Sequence, residues 1–208
     1  MSSLLVALLG YLIGSISFAV VTSWLFGLPD PRSYGSGNPG ATNVLRTGKK
    51  AAAVLTFLGD AGKGAAAVLL VRWAAPHFGL GGIAVAVTAV SAFLGHLYPL
   101  FFGFKGGKGV ATACGLLLVL SGWVTLAAGV VFFAVAAATR YVSLGSVLAA
   151  VTAGLAAPIV LGWHPEAFAI ILMALLIIVR HQPNIRRLLA GEESKFGSRT
   201  RTPPPEQA

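Results

Sequence analysis

The chain has 208 residues, of which 56% are hydrophobic and only 10% are charged. A soluble domain carries about 25% charged residues, so this deficit excludes a protein whose whole surface faces water. The 15 Lys and Arg outnumber the 6 Asp and Glu, which gives a net charge of +9. Because the cations lie in short segments between apolar stretches, we interpret them as marks of topology and anion binding, not as a nucleic-acid surface.

The apolar stretches, taken in chain order, are long enough to cross a bilayer several times. About 20 apolar residues suffice for one crossing, and such stretches run over residues 4–26, 51–73, 80–102, 142–161 and 166–179. The stretch 110–139 is too long for one span, and we predict a break near Ser121-Gly122-Trp123 into two short helices of about 15 residues each. The expected fold is an all-α integral membrane protein with seven transmembrane helices.

The cations set the expected orientation. They lie in the first polar loop (Arg32, Arg46, Lys49 and Lys50), in the loop after the third span (Lys105 and Lys108) and in the C-terminal segment. Short loops rich in Lys and Arg stay in the cytoplasm, and seven crossings put all three segments on that side. We expect an external N-terminus, a single transmembrane domain over 1–197 and a disordered cytoplasmic tail over 198–208.

The first polar segment reads Gly-Ser-Gly-Asn-Pro-Gly-Ala-Thr-Asn over residues 35–43 and is followed by Arg46. Successive backbone N–H groups in a glycine-rich turn form an anion-binding concavity, and a guanidinium matches the geometry of phosphate oxygens. The side chains that can add hydrogen bonds are those of Ser36, Asn38, Thr42 and Asn43. The alternative is a polar turn that caps a helix starting near Asn43.

The second polar segment leads from His96 to the run Lys105-Gly106-Gly107-Lys108-Gly109, which precedes an apolar helix. A helix N-terminus presents free N–H groups and partial positive charge, which suits a phosphate. Two lysines at this position oppose the helix dipole, and a bound anion removes that conflict. The alternatives are plain positive-inside topology for the lysines and helix capping or packing for His96.

The third polar segment covers residues 180–193 and follows the last span. His181 can act as a base or a donor near neutral pH, and it stands beside Asn184 at the membrane edge. The apolar residues that fit one face of a short interfacial helix are Ile185, Leu188 and Leu189. The alternative is a basic amphipathic anchor.

Two charged residues interrupt the second apolar stretch. Asp60 and Lys63 are three residues apart, so they face the same side of a helix and can pair. Ionisable groups at membrane depth are costly and are mostly functional. We expect both to line the site, with Lys63 near an anion, and the alternative is a structural ion pair that braces the bundle.

Together, the stretches 35–43, 95–112 and 180–192 resemble the bacterial acyl-phosphate-dependent glycerol-3-phosphate acyltransferase family in order and spacing. The resemblance covers nearly the whole chain. It implies transfer of a fatty acyl group from acyl phosphate to the 1-hydroxyl of sn-glycerol 3-phosphate, an early step of phospholipid synthesis. The products are 1-acylglycerol 3-phosphate and phosphate. It also implies a multi-pass protein of the bacterial plasma membrane with a cytoplasmic site and no required protein partner.

The residues fit that chemistry. An acyl phosphate is a mixed anhydride with a good leaving group, so positioning and electrostatic stabilisation can supply much of the rate without a serine or cysteine nucleophile, a metal or a cofactor. The expected catalytic residues are His181, Ser36, Asn184 and Lys105. The expected phosphate ligands are Arg46, Asn38, Thr42, Asn43, Lys63, Lys105, Gly106, Gly107, Lys108 and Gly109. The expected supporting residues are Asp60, His96 and Glu192.

Two questions stay open at the level of sequence. A transporter or channel for a phosphorylated or anionic solute is the other function that seven spans with intramembrane charges permit. The polar segments nevertheless gather on one face, not midway between inverted repeats. The second question is the base, which is either His181 or the phosphate of glycerol 3-phosphate itself. We favour the phosphate, with His181 as the residue that orients it.

Overall fold

The structure is a computed structural model that describes residues 3–197. Within that range the chain forms ten α-helices, one short 3-10 turn (Leu100–Phe102) and no β-strand. The first five helices are α1 (Ser3–Gly14), α2 (Phe18–Leu25), α3 (Ala41–Leu45), α4 (Lys50–Phe78) and α5 (Gly82–Leu97). The others are α6 (Val110–Leu120), α7 (Gly122–Thr139), α8 (Val142–Leu161), α9 (Pro165–Arg180) and α10 (Gln182–Leu189). The predicted all-α class is confirmed, and the tail predicted to be disordered lies outside the described residues.

Five segments are long and apolar enough to cross a membrane: Ser3–Leu25, α4, Gly82–Phe102, α7 and α8. A sixth forms if α9 and α10 are taken as one span, bent by 54°. The remaining apolar helix is α6, which has 11 residues. The long stretch therefore does break where predicted.

The prediction that both helices of that stretch are short is wrong. Ser121 has an extended backbone, and its side chain accepts a hydrogen bond from the N–H of Val124. It ends α6 after 11 residues and starts α7, which continues for 18. Because the cap falls early in the stretch, only α6 is shorter than a span.

Glycines at the helix contacts allow the helices of the bundle to pack closely. An added Cβ at Gly14 or Gly95 would overlap backbone atoms across the contact between α1 and α5. The same holds for Gly64 and Gly115 in the contact between α4 and α6. Close backbone approach of this kind drives helix association in lipid, where the hydrophobic effect between helices is absent.

The loops that carry the three polar segments gather at one end of the bundle, which we call the polar end. Arg32 Nη1 donates to the carbonyl of Phe102 over 3.0 Å and so joins the first segment to the second. Arg46 Nη2 donates to Ser194 Oγ over 3.1 Å and joins the first segment to the region after α10. Further along, Phe196 N–H donates to the carbonyl of Arg140, in the turn between α7 and α8.

Candidate active site

Asn43 organises the first polar segment. Its Oδ1 accepts the N–H of Ser36 at 3.0 Å, and its Nδ2 donates to the carbonyls of Pro31 at 2.7 Å and Tyr34 at 3.1 Å. Gly35 has a φ of 60°, and an added Cβ there would overlap Asn43 Oδ1, so glycine is required. Because its amide is buried and fully engaged, Asn43 shapes the loop and is not placed as a phosphate ligand, contrary to our expectation.

The run 105–109, which we call the glycine loop, lies against the end of α5. The N–H of Gly107 donates to the carbonyl of His96 over 3.2 Å. An added Cβ on Gly106 would overlap that carbonyl, and one on Gly107 would overlap Nε2 of the His96 ring. Gly109 has a φ of 88° and caps α6. The glycines therefore allow a close backbone approach that side chains would prevent.

A chain of polar contacts joins the glycine loop to the third segment. Lys108 Nζ donates to Asn184 Oδ1 over 2.6 Å, and Asn184 Nδ2 donates to Glu193 Oε1 over 2.6 Å. Arg187 Nε donates to Glu193 Oε2 over 2.7 Å. Glu193 therefore makes these contacts, whereas the expected supporting residue, Glu192, has an exposed side chain.

Burial is the main cause that lowers the pKa of Lys108 to about 8, and nearby arginines lower it further while Glu193 opposes them. The Glu193 carboxylate itself keeps a pKa below its ordinary value: burial raises that pKa, and hydrogen bonds, including those from Asn184 and Arg187, outweigh the burial. Lys108 therefore loses its positive charge as the pH rises through about 8.

The three segments line a cleft of about 750 Å³ at the polar end. Its walls are formed by Arg32, Ser36, Gly37, Asn38, Pro39, Phe104, Lys105, Gly106, Lys108, Arg180, Pro183, Asn184 and Arg187. The cleft brings together six of the predicted residues, namely Ser36, Asn38, Lys105, Gly106, Lys108 and Asn184. Arg46 stands next to this wall, since an added Cβ on Gly35 would lie 3.2 Å from its Nη1. Thr42, Gly107 and Gly109 are not part of the wall.

The cleft carries an excess of positive charge. Arg32 pairs with Asp30 at 2.6 Å, and Arg187 pairs with Glu193 at 2.7 Å. Among residues 3–197, no carboxylate lies within ion-pair distance of the other three lining cations, Lys105, Lys108 and Arg180. Three uncompensated cations in one cleft fit the binding of phosphate groups.

Asp60, Lys63 and His96 form a buried cluster and do not line the cleft. Lys63 Nζ lies 2.7 Å from Asp60 Oδ1 and 3.0 Å from His96 Nδ1, and it also donates to the carbonyl of Ile16. The Asp60 and Lys63 side chains are each 2% exposed. With three partners, the ammonium has no room for an anion, so the alternative of a structural ion pair describes Lys63 better than our expectation did.

His181 lies beneath the cleft wall, at the bend between α9 and α10. It is 3% exposed, and its Nδ1 lies 2.8 Å from the carbonyl of Ile177. A carbonyl only accepts, so Nδ1 carries the hydrogen of the neutral ring and Nε2 holds the lone pair. His181 is therefore oriented by its own helix and covered from open water.

A second cavity, of about 510 Å³ and lined almost wholly by apolar groups, lies among α4, α6, α7, α8 and α9. It reaches Val110, two residues after Lys108, and Ile177, the hydrogen-bond partner of His181. The apolar cavity therefore ends beside the cleft. Sequence reasoning missed it because its lining residues are scattered singly over five helices without a local signature.

Comparisons with known proteins identify the family of the chain. The family model described as glycerol-3-phosphate acyltransferase matches residues 4–191. A glycerol-3-phosphate acyltransferase of Thiobacillus denitrificans is 50% identical over 200 residues, which is 96% of this chain and 100% of that protein. One of Ralstonia nicotianae is 53% identical over 193 residues, 93% of each chain.

Solved structures agree as well. The integral membrane glycerol 3-phosphate acyltransferase PlsY (YgiH), in its glycerol 3-phosphate form, matches with a TM-score of 0.86 at 42% identity, over 95% of this chain and 96% of that one. The form with lysophosphatidic acid matches with a TM-score of 0.84, at the same identity and coverage. The resemblance inferred from the three polar segments is confirmed: the chain belongs to the glycerol-3-phosphate acyltransferase family.

Proposed function

We infer that the chain transfers a fatty acyl group from an acyl phosphate to the 1-hydroxyl of sn-glycerol 3-phosphate, giving 1-acylglycerol 3-phosphate and phosphate. The observation that carries this inference is the junction of a cation-lined cleft with an apolar cavity. The phosphate of an acyl phosphate fits the cleft and its chain fits the cavity. Its reactive carbonyl then lies at the junction, beside the acceptor bound in the cleft.

In the proposed reaction, the hydroxyl oxygen of the acceptor attacks the acyl carbon. The bond between that carbon and the phosphate oxygen breaks, and the phosphate leaves with the electron pair. Ser36, Asn184 and Arg46 hold the reactants in line, and Lys105 stabilises the negative charge that develops. No covalent intermediate with the enzyme is needed, because the donor is already activated.

The hydroxyl proton passes to the phosphate of glycerol 3-phosphate. A phosphate monoester has a second pKa of about 6, so it is mostly dianionic at neutral pH and can accept a proton. His181 lies beside the wall with its ring fixed by Ile177, a placement that suits orientation of the phosphate of glycerol 3-phosphate. Lys108 then balances the charge of the leaving phosphate.

The protein sits in the bacterial plasma membrane with seven crossings, an external N-terminus and the cleft facing the cytoplasm. The support is the distribution of cations: among the described residues, every Lys and Arg except Lys63 and Arg72 belongs to the polar end. Arg72 donates to the carbonyl of Val119 near the opposite end. Such asymmetry marks the cytoplasmic side of short loops.

The transporter alternative has no support from the relatives described above, each of which is named as an acyltransferase. The buried charges also argue against a polar path through the bundle. Asp60, Lys63 and His96 are buried and lie within ion-pair or hydrogen-bond distance of one another.

The decisive experiment uses the purified full chain in detergent micelles, supplied with glycerol 3-phosphate and a long-chain acyl phosphate. Release of phosphate and formation of 1-acylglycerol 3-phosphate in equal amounts are expected, since no sealed compartment is required. An acyl thioester serves as the alternative donor. Transfer from the thioester alone would overturn the assignment of the donor, and absence of transfer from either would overturn the activity.

A further inference from the structure

Arg180, the last residue of α9, holds two successive carbonyls of the glycine loop. Its Nη2 donates to the carbonyls of Gly106 at 3.1 Å and Gly107 at 3.2 Å, and its Nε lies 3.3 Å from the Gly107 carbonyl. The guanidinium carbon lies 5.6 Å from the centre of the Tyr98 ring. The guanidinium group of Arg180 is therefore held along one edge by the loop carbonyls and on one face by the Tyr98 ring.

These contacts decide which way the loop presents its peptide groups. Glycine backbones are free to turn, so a loop with three glycines needs an external anchor to keep one conformation. A carbonyl that turned into the cleft would point its negative end at a bound phosphate. Arg180 draws both carbonyls to itself, while the Gly107 N–H is held from the other side by His96.

We propose that Arg180 is a positioning residue that keeps the glycine loop in its phosphate-binding conformation. The proposal rests on the proposed function, because it takes the ligand of the loop to be a substrate phosphate. Arg180 acts through the loop, since two of its three nitrogens donate to loop carbonyls and its face is covered by Tyr98.

The test compares Arg180→Met and Arg180→Lys with the matched control Arg186→Met. Arg186 carries the same charge at the same end of the bundle, but it is exposed on α10 and does not line the cleft. Arg180→Met should raise the KM of the substrate whose phosphate group the loop binds, and also the inhibition constant of inorganic phosphate. Both should rise about 10- to 100-fold, the range of one lost charged hydrogen bond. Arg180→Lys should recover part of the loss, because an ammonium reaches one carbonyl but lacks the fork.

A double-variant cycle with Gly107→Ala separates positioning from direct contact. Once alanine has displaced the loop, loss of Arg180 should cost less than about 2-fold more, because both changes act on the same element. If the fold-change in KM of the double variant equals the product of the two single fold-changes, Arg180 contacts the phosphate directly. If Arg180→Met has the kinetics of the wild type, Arg180 neither positions the loop nor contacts the phosphate. Either result overturns the proposal.

Two further measurements keep the proposal testable. If Arg180→Met does not fold, Tyr98→Leu removes the ring under the guanidinium and should raise the same constants to a smaller extent. Protection of the folded protein by inorganic phosphate in thermal unfolding requires no turnover. Weaker protection of Arg180→Lys than of the wild type supports the proposal even if the assigned donor is wrong, and equal protection of both proteins contradicts it.

Discussion

At the scale of single residues, Lys108 should make the activity of the site depend on pH. Its pKa is lowered to about 8, so the ammonium is present at pH 7 and is lost as the pH rises through 8. If the charge is needed to bind phosphate, kcat/KM should fall above about pH 8 with a single limb, because this ratio reports the free enzyme. The limb in kcat should lie at higher pH, since bound phosphate stabilises the ammonium.

Lys108→Arg provides the check. A guanidinium stays charged throughout the measurable range, so the alkaline limb should disappear even if the absolute rate drops with the altered contact to Asn184. Background hydrolysis of the acyl phosphate is subtracted at each pH. A limb that survives unchanged in Lys108→Arg would assign it to another group.

His181→Asn tests the identity of the base. Asparagine keeps a hydrogen-bond donor but cannot take a proton, so substrate-assisted transfer predicts a modest rate loss and an unchanged acid limb set by the phosphate. A loss of about four decades, near the upper end for a general base, together with rescue by imidazole, would instead make His181 the base.

At this scale the sequence predicted several residues that line the cleft but not the hydrogen bonds that they make. Ser36, Lys105, Lys108 and Asn184 could be foreseen because each lies in a polar motif between apolar spans, and loops on one face converge. The choice between Glu192 and Glu193 depends on how the chain turns at Gly191, whose φ is 71°. Arg180 could be foreseen only as a topological charge, because its partners are backbone carbonyls 73 and 74 residues away.

At the scale of elements, the buried cluster of Asp60, Lys63 and His96 should contribute to stability. It lies between α4 and α5 and reaches the break between α1 and α2 through the carbonyl of Ile16. Lys63→Met leaves a buried carboxylate unpaired and should cost about 3–5 kcal/mol. The measured quantity is the midpoint of thermal unfolding in detergent.

The double variant Asp60→Leu, Lys63→Met is the informative control. It removes both charges, so it should unfold at a higher temperature than Lys63→Met alone, since replacing a buried pair by apolar groups is often nearly neutral. A double variant less stable than either single one would show that the cluster is held by hydrogen bonds to its surroundings and not by the ion pair.

The helices could be predicted from the sequence where hydropathy alone defines their extent. The spans followed from runs of apolar residues, and the break at Ser121 followed from a length that fits neither one span nor two. The unequal lengths of α6 and α7 did not, because they depend on a single serine cap. The apolar cavity was also out of reach, since hydropathy does not distinguish a residue that faces lipid from one that faces a cavity.

For the whole molecule, labelling of single cysteines tests the proposed orientation. Cys114, which lines the apolar cavity, is first replaced by alanine. Cysteines at the exposed positions Ser36, Lys105 and Glu192 should react with a membrane-impermeant maleimide only in inverted vesicles. A cysteine at the exposed Gly81, between α4 and α5, should react only in intact cells. Labelling of any polar-end position from outside would exclude seven crossings in the proposed orientation.

The short helix α6 has a further consequence for the height of the site. From Arg140 at the polar end, the 18 residues of α7 descend about 27 Å to Ser121, and the 11 residues of α6 climb back only about 16 Å. For helices near the bundle axis, Gly109 then lies roughly 10 Å below the level of Arg140. The floor of the cleft is therefore recessed relative to the turn that carries Arg140. A recessed floor brings the phosphate-binding loop closer to the apolar cavity, so a donor can keep its tail among apolar side chains while a dissolved acceptor enters the cleft from the polar end.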